Sequence, residues 1–520
     1  MGREKTKEVA ASRSAGPAPE RRFVFALITL SLLLLSSALM AQSQAELDAK
    51  ASRLASFASD LNADLHVQHA ILNDTAVRFS VWGPVYNTGA QDWQLHLISN
   101  KLDGSRWKYE RFLGVLQPGT SYNFTQYFEA QYTGQAQEHI QYAIVAVGDT
   151  VQHGKYFDLV EDWTPYVASS RAQLTDMALV FVPVAGGVIV LLIVFLAEWA
   201  YSSQAREEGR EKEYTMRTFF LPQWKNAGAG QILAELMAHP LVWLLELAVL
   251  GLMAGAIWSD LGAHVADGTA PTIWLLSLAA AALMPLIYFT LAWAYNEVVE
   301  RMPLRFMAGM FMWGLAAACI ALVLNTVQSQ ALEPLLGANS ALLAVAAVAV
   351  VAPLIEETLK GLGLLAIRQH HEFADAMHGL HLGFAAGVGF SFVENWFYLA
   401  SRTDPLQSGV SAWIALALYR SLFNALAHGS FTGILGAGLG WAKEQKWGRM
   451  AILVFLPGLV LAVVLHSLFN LTAISDSFQA LSAEFPVFGF NPLMTLTLVG
   501  MLALLAVAAT MDYRRRMRKK

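Results

Sequence analysis

Two adjacent glutamates, Glu356 and Glu357, lie inside a long apolar stretch of the sequence. An ionised carboxylate is unfavourable in hydrocarbon, so acidic residues in membrane spans are rare and usually face a polar interior. Lys360 lies one helical turn after Glu356, and the spacing predicts that these two side chains neutralise each other in part. Glu357 points about 100° away on a helix. It therefore needs a partner on a neighbouring helix.

Three later apolar runs carry further polar side chains at helical spacing. They are Glu394 and Asn395 in the first run, Arg420, Asn424 and His428 in the second, and His466 and Asn470 in the third. A spacing of four residues puts each of the last two sets on one helix face. At 1.5 Å per residue, all these groups fall within about 10 Å of one depth in the membrane. Interhelical hydrogen bonding explains any one of them, whereas their coincidence favours a functional site.

The residue types at this depth could hydrolyse an amide bond. Two histidines and a carboxylate form the ligand set of many hydrolytic zinc sites, in which water occupies the open position. A further glutamate could act as general base toward that water and return the proton to the leaving amine. Asn470, one turn after His466, could donate a hydrogen bond to the oxyanion of a tetrahedral intermediate. These residues indicate amide hydrolysis inside the membrane.

The composition supports a membrane setting for this chemistry. Of the 520 residues, 55% are hydrophobic and 14% are charged, whereas soluble chains carry about 25% charged residues. The chain is therefore interpreted as mostly α, a polytopic helical bundle with soluble segments. Its single cysteine, Cys319, allows no disulfide within the chain. No basic stripe indicates a nucleic-acid partner.

The apolar runs and the basic residues predict a topology of about ten spans. Residues 1–22 form a basic tail that is expected to stay cytoplasmic, and 23–41 form a signal-anchor span or, alternatively, a cleaved signal peptide. Nine further spans are predicted at 177–200, 239–259, 272–295, 306–327, 340–366, 379–399, 411–440, 450–473 and 491–510. Basic residues concentrate in alternate connections, which include the cytoplasmic loop 201–238 and the tail 511–520. A single basic residue, Arg402, occurs in the opposite loops near 260–271, 328–339, 400–410 and 474–490. Both termini are therefore predicted to be cytoplasmic.

Residues 42–176 are predicted to form an inserted extracytoplasmic β-rich domain. Alternating apolar residues such as Val77, Phe79 and Val81 are typical of half-buried strands. Similar alternations follow as far as Ala146, with a turn signal at Pro118-Gly-Thr, and they favour a small antiparallel β-sandwich-like fold. The five histidines of this domain are scattered, which indicates surface residues rather than a metal site. Recognition of a partner or ligand that the sequence leaves unknown is its expected role.

The four polar motifs, in this order on successive spans, resemble those of the PrsW family of intramembrane proteases. The motifs are Glu356-Glu-Thr-Leu-Lys360, Phe390-Ser-Phe-Val-Glu394-Asn395, the face of Arg420, Asn424 and His428, and His466-Ser-Leu-Phe-Asn470. That family is related to the type II CAAX prenyl endopeptidases and the bacteriocin-immunity proteins, which share a Glu-Glu motif and a late His-x-x-x-Asn. The resemblance covers about 306–511 within the multi-span domain 239–510, and it leaves the β-rich domain out.

The resemblance implies an intramembrane metalloprotease that cleaves a membrane-anchored protein, for example an anti-sigma factor, in a signalling cascade. It makes Glu356 and Glu357 the catalytic pair, with Asn470 beside them. It makes His428, His466 and Glu394 the groups that bind zinc or water, supported by Lys360, Asn395, Arg420 and Asn424. Glu356 is the first choice as base because of its lysine neighbour, and Glu357 would hold Arg420 or a histidine. The related prenyl endopeptidases also leave open a metal-free mechanism with glutamate-activated water. The implied location is the bacterial cytoplasmic membrane.

Two other classes of function compete with a protease. A proton- or ion-coupled transporter also uses buried carboxylates and histidines, but its acidic sites would be spread across the membrane thickness. A non-enzymatic sensor or binding protein would use the β-rich domain for recognition and the polar cluster only to brace the bundle. The single depth of the polar groups, and the lack of a visible internal repeat, favour the protease.

Overall fold

The structure is a computed structural model that describes residues 61–474, except for 74, 102–107, 136, 149–151, 205–215, 222–226, 266–267, 300–301 and 338–339. Residues 500, 510, 513, 514 and 517 are also described. The chain divides into two compact units, Met1–Val167 and Ala168–Lys520. The predicted tail 1–22 and first span 23–41 lie outside the described residues. So do the predicted span 491–510 and the tail 511–520, apart from the few positions named above.

The described residues of the first unit form eight antiparallel strands in two sheets. The strands are β1 (Leu61–Ala63), β2 (His66–Asn73), β3 (Ala76–Asn87), β4 (Trp93–Lys101), β5 (Lys108–Leu116), β6 (Ser121–Gln131), β7 (Gln137–Val147) and β8 (Gln152–Asp162). In one sheet β3 pairs with β6 and also with β1 and β2, and in the other the order is β5-β4-β7-β8. The predicted β region is thus confirmed in outline, while its location outside the cytoplasm remains a prediction.

Alternating side chains build the interior of this unit. Val77, Phe79 and Val81 of β3 are buried, as the alternation predicts for one face of a strand. Phe128 of β6 stacks on Tyr142 of β7 with ring centroids 4.1 Å apart, so the two sheets pack face to face. Burial of the Tyr142 hydroxyl raises its pKa.

The second unit is helical. Its helices are α1 (Thr164–Gln204), α2 (Met216–Phe220), α3 (Ala229–Met237), α4 (Pro240–His264), α5 (Ala270–Val299), α6 (Leu304–Leu336), α7 (Ala341–Ile367), α8 (Ala376–Arg402), α9 (Pro405–Ser408), α10 (Val410–Glu444) and α11 (Ile452–Ile474). Among the described helices, eight are long and apolar enough to cross a bilayer, namely α1, α4 to α8, α10 and α11. Each of them overlaps one predicted span between 177 and 473. Helix α1 begins at Thr164, directly after the last strand.

Glycines bring α8 and α10 into close contact. A Cβ atom on Gly379, Gly383 or Gly387 would lie only 2.0–2.3 Å from a backbone oxygen of α10. Small residues at a spacing of four let two helix backbones approach closely in a membrane. This contact fixes α8 against α10, so the polar residues near the C-terminal end of α8 face those of α10.

Three of the spanning helices contain a π-helical turn next to the polar residues. These turns are Val345–Val351 in α7, Tyr398–Arg402 in α8 and Arg420–Asn424 in α10. A π turn interrupts the regular hydrogen bonding of a helix and often marks a functional site. A side-chain amide or indole donates to a carbonyl in each turn, since Asn470 Nδ2 lies 3.0 Å from Val348 O, Trp413 Nε1 3.0 Å from Leu399 O and Asn395 Nδ2 2.9 Å from Arg420 O.

Candidate active site

Lys360 pairs with Glu357 and not with Glu356, which corrects the sequence-based expectation. Both members of the pair are fully buried on α7, and the ammonium donates to Glu357 Oε1. Residues three apart on a helix are neighbours as much as residues four apart. Lys360 also lies over the Phe390 ring, 4.2 Å from its centroid. The helix therefore turns Glu357 and Lys360 into the bundle and leaves Glu356 on a different side.

Glu357 anchors His466, as expected for a carboxylate that holds a histidine. His466 Nδ1 lies 3.0 Å from Glu357 Oε1, and Thr432 Oγ1 donates to Glu357 Oε2 at 3.0 Å. Because a carboxylate accepts, His466 carries its proton on Nδ1 when neutral, and Nε2 keeps its lone pair. A carboxylate partner of this kind fixes the orientation of a metal-binding histidine. Glu357 does not contact Arg420, which pairs elsewhere.

Glu356 keeps one carboxylate oxygen without a hydrogen bond. Asn325 Nδ2 of α6 donates to Glu356 Oε1 at 3.0 Å. The other oxygen, Oε2, is buried and has no hydrogen-bond partner among the described residues; His466 Nε2 lies 3.8 Å from it. A buried carboxylate oxygen left in this way is unfavourable unless a ligand satisfies it. Glu356 is thus the carboxylate of this cluster that is open to a ligand.

His428 is held from both sides. Its Nδ1 lies 3.0 Å from Lys360 Nζ, and its Nε2 lies 2.8 Å from Glu394 Oε2. Since an ammonium only donates, Nδ1 accepts and Nε2 carries the proton of the neutral ring. Phe390 stacks on the same imidazole with centroids 5.3 Å apart. To bind an ion, His428 would release one of these two polar contacts.

The remaining predicted residues form a network around Glu394. Arg420 Nη2 lies 3.1 Å from Glu394 Oε1, and Asn424 Nδ2 donates to Glu394 Oε2 at 3.2 Å. Asn395 Oδ1 accepts from Asn424 Nδ2 at 2.9 Å and from Arg420 Nε at 3.1 Å. The Arg420 guanidinium also lies over the Tyr398 ring, 4.0 Å from its centroid. This network fixes Glu394 against His428.

Asn470 contacts the backbone of α7 instead of the histidines. Its Nδ2 donates to Val348 O inside the π-helical turn. The side chain is half-buried and lines the same cavity as Glu356. A role of Asn470 as oxyanion donor stays a prediction. For that role, Asn470 would exchange its hydrogen bond to Val348 O for one to a substrate.

One group of described residues has donors that converge as a metal site requires. Single donor atoms of Glu356, His428 and His466 all lie within 4.8 Å of one another, and all three side chains are buried. Nitrogen and oxygen donors of this kind suit zinc. Glu356 Oε2, which has no hydrogen bond among the described residues, is free to bind an ion there. The residues therefore fit a metal ion, although the carboxylate that converges with both histidines is Glu356 rather than the predicted Glu394.

A cavity of about 850 Å³ gives access to the cluster from within the helical unit. Glu356, Glu394, Arg420, Asn424 and Asn470 line it, together with polar residues of α6 and apolar residues of α7 and α10. Glu357 and Lys360 lie behind this surface and do not line it. The cavity is large enough for a segment of peptide.

The structure adds site residues that the sequence motifs did not identify. Thr432 bonds Glu357, and Asn325 bonds Glu356. Thr432 follows His428 by four residues, so the same helical face already contained it. Asn325 is an amide near the end of the predicted span 306–327, and its helix carries none of the motifs.

The fold and the cluster define an integral membrane protein whose apolar helices enclose a buried polar site. Residues 302–504 match the family described as PrsW family intramembrane metalloprotease. This match agrees with the family that the four motifs resemble, so that resemblance is confirmed over this part of the chain. The family match supports an intramembrane protease.

The other comparisons add no functional information. No curated protein matches the chain. Among solved structures, the chain has 12% identity to native alpha-2-macroglobulin from Escherichia coli, spanning domain MG7 to the C-terminus. That alignment covers 80% of this chain and 67% of the other, with a TM-score of 0.15. So low a score supports no conclusion about the fold.

Proposed function

We propose that this protein is an intramembrane endopeptidase that hydrolyses a peptide bond of a membrane-anchored protein. The observation that carries the proposal is the free oxygen of Glu356, which lies beside His466 and lines a cavity among apolar helices. A carboxylate in that position is set to accept a proton from water. The match of residues 302–504 to an intramembrane metalloprotease family points to the same reaction.

In the proposed reaction, Glu356 is the general base. Its Oε2 accepts a proton from water as the water oxygen attacks the peptide carbonyl carbon. The carboxylic acid then returns that proton to the departing nitrogen as the C–N bond breaks, which yields a carboxylic acid and an amine. Asn325 holds the other oxygen of Glu356 and so orients the carboxylate. Glu357 is a positioning residue because it lies behind the cavity and holds His466.

The proposed ligands of a zinc ion are the imidazoles of His428 and His466 and the carboxylate of Glu394. When bound, zinc supplies a Lewis acid that makes water more acidic and polarises the peptide carbonyl. Glu357 orients His466, and His428 gives up its contact with either Lys360 or Glu394 when the ion binds. The convergence of Glu356 with the two histidines also makes Glu356 a competing third ligand. The zinc content of Glu356 and Glu394 variants distinguishes the two carboxylates, because only replacement of the actual ligand removes the ion.

The proposed substrate is a single-span or otherwise membrane-anchored protein, since the site lies within the apolar helices. An anti-sigma factor or a similar signalling protein of the bacterial cytoplasmic membrane is the class that the sequence resemblance suggests. The β-rich unit has no assigned ligand, and its predicted extracytoplasmic position would suit recognition of the soluble part of such a substrate.

The first test measures bound metal and cleavage on the same purified preparations. We expect about one zinc per chain in the unaltered protein and none in a His428→Ala/His466→Ala variant. Glu356→Gln should abolish cleavage of a single-span reporter, with zinc retained. Glu246→Gln is the matched control, because Glu246 is also buried on a spanning helix but lies outside both the cluster and the cavity lining.

The outcomes separate the alternatives. Cleavage that survives Glu356→Gln would remove Glu356 from the mechanism. Loss of zinc in Glu356→Gln but not in Glu394→Gln would assign the ligand role to Glu356. No zinc with intact cleavage would indicate glutamate-activated water alone. Ion flux across proteoliposomes that depends on Glu356, without any cleavage, would favour the transporter.

A further inference from the structure

Gln328 on α6 has an unpaired amide group beside the proposed active site. Its Nε2 and Oε1 atoms are both shielded from solvent, and neither has a hydrogen-bond partner in the part of the chain that the structure describes. Gln328 lines the same cavity as Glu356. Shielding an amide without hydrogen bonds is unfavourable, so such a group calls for a partner that the folded chain itself does not provide.

The position of Gln328 connects it to the catalytic carboxylate. Asn325, three residues earlier on α6, donates to Glu356 Oε1 at 3.0 Å. Residues three apart lie on neighbouring parts of one helix face, about 4.5 Å apart along the axis. Asn325 Oδ1 likewise has no hydrogen-bond partner among the described residues. Helix α6 thus presents amide atoms without a partner among the described residues, both where it contacts Glu356 and about one turn further along.

We propose that Gln328 binds the main chain of the substrate next to the scissile bond. A side-chain amide offers both a donor and an acceptor, which complement the C=O and N–H groups of an extended peptide. A transmembrane helix satisfies its own backbone groups, so a bond inside it must be exposed by local unwinding before water can attack. The freed N–H and C=O groups then need partners, because hydrocarbon provides none.

This inference rests on the proposed function and adds a substrate class to it. The preferred substrate is a membrane segment that unwinds readily near the cleavage point. Gly and Pro residues weaken a helix most. A suitable probe is therefore a reporter with one apolar span of about 20 residues, a Gly-Pro pair within the span, and a soluble tag at each end. A second reporter with Leu-Leu in place of Gly-Pro is its control.

Gln328→Met tests the role because methionine has a similar length and helix propensity but no amide. Leu324→Met is the matched control, since Leu324 lies one turn earlier on the same helix, is exposed and does not line the cavity. In proteoliposomes, we expect Gln328→Met to lower kcat/KM for the Gly-Pro reporter about 5- to 50-fold, mainly by raising KM. Leu324→Met should stay within about twofold of the unaltered protein.

Thermal unfolding distinguishes a binding role from a structural one. An unpaired amide contributes nothing to the folded state, so Gln328→Met should leave the melting temperature unchanged or raise it. A lower melting temperature together with an equal loss of kcat would indicate a structural role and overturn the inference.

The inference and the proposed function can fail separately. Normal kcat/KM in Gln328→Met, with the unaltered protein cleaving the reporter, would refute the role of Gln328 and leave the protease intact. If the unaltered protein cleaves neither reporter, the proposed function fails. In that case, equal capture of the Gly-Pro reporter by the unaltered protein and by Gln328→Met would overturn the inference too.

Discussion

The same substitution, glutamate to glutamine, should impair stability at Glu357 and activity at the adjacent Glu356. Glu357 is fully buried and accepts from Lys360, His466 and Thr432. Glu356 accepts a single hydrogen bond, from Asn325, and has a free oxygen. We therefore expect Glu357→Gln to damage the fold and Glu356→Gln to damage the chemistry.

The magnitudes follow from the partners that each variant leaves behind. Glu357→Gln leaves the Lys360 ammonium buried without a counter-charge, beside His428 Nδ1 and a neutral amide oxygen. Removing one member of a buried ion pair lowers the free energy of unfolding by about 3–5 kcal/mol. In Glu356→Gln, the new amide oxygen can still accept from Asn325, so the loss should stay below about 1 kcal/mol. Loss of a general base should slow cleavage at least about 10²-fold.

The assay is a double-mutant cycle on chelator-treated protein, so that metal binding does not contribute to stability. Glu357→Gln, Lys360→Met and the double variant are unfolded in detergent, with tryptophan fluorescence as the signal. Replacing a buried ion pair by uncharged groups of similar size is often nearly neutral. The double variant should therefore recover most of the stability that each single change removes. Reporter cleavage is measured on the same preparations.

Two results would refute this reasoning. Equal destabilisation by Glu356→Gln and Glu357→Gln would mean that the two carboxylates share one environment. Additive losses in the double variant would mean that Lys360 and Glu357 are not coupled, because residues in contact normally show an interaction energy.

Three further predictions concern the surrounding structure. Asn470→Ala removes the bond to the π-helical turn of α7 and should lower the free energy of unfolding by about 1 kcal/mol; an unchanged value would show that the bond is absent. Gly383→Ala places a Cβ 2.3 Å from Thr432 O, so α8 and α10 must separate. We expect the free energy of unfolding to fall by at least about 1 kcal/mol and cleavage to become slower. Burial would raise the pKa of Glu235 on α3, but the hydrogen bond from His370 and the nearby cations lower it below its ordinary value of 4.5. The stability from this contact is present above that value and lost as pH falls through the lower, folded-state pKa, so proteolysis of α3 should accelerate in acid, and a Glu235→Gln variant should lack this pH dependence.

The sequence alone indicated the membrane setting and most of the site. Apolar run length is a local property, so eight predicted spans coincide with long apolar helices of the structure. Their spacing of four residues already put the motif residues of α10 on one helix face and those of α11 on another. The strands around Val77 and Leu95 were equally visible as alternating patterns.

Only the tertiary structure decided which polar groups meet. The spacing predicted a pair of Lys360 with Glu356, whereas the rotation of α7 against α10 places Lys360 on Glu357. Gln328 lies on a helix without a motif, so its place in the cavity depends on how α6 packs. Helix rotation and depth are set by contacts between distant residues, such as the close approach of Gly383 to the backbone of α10. Sequence spacing fixes neighbours within one helix, whereas packing between helices fixes the chemistry of the site.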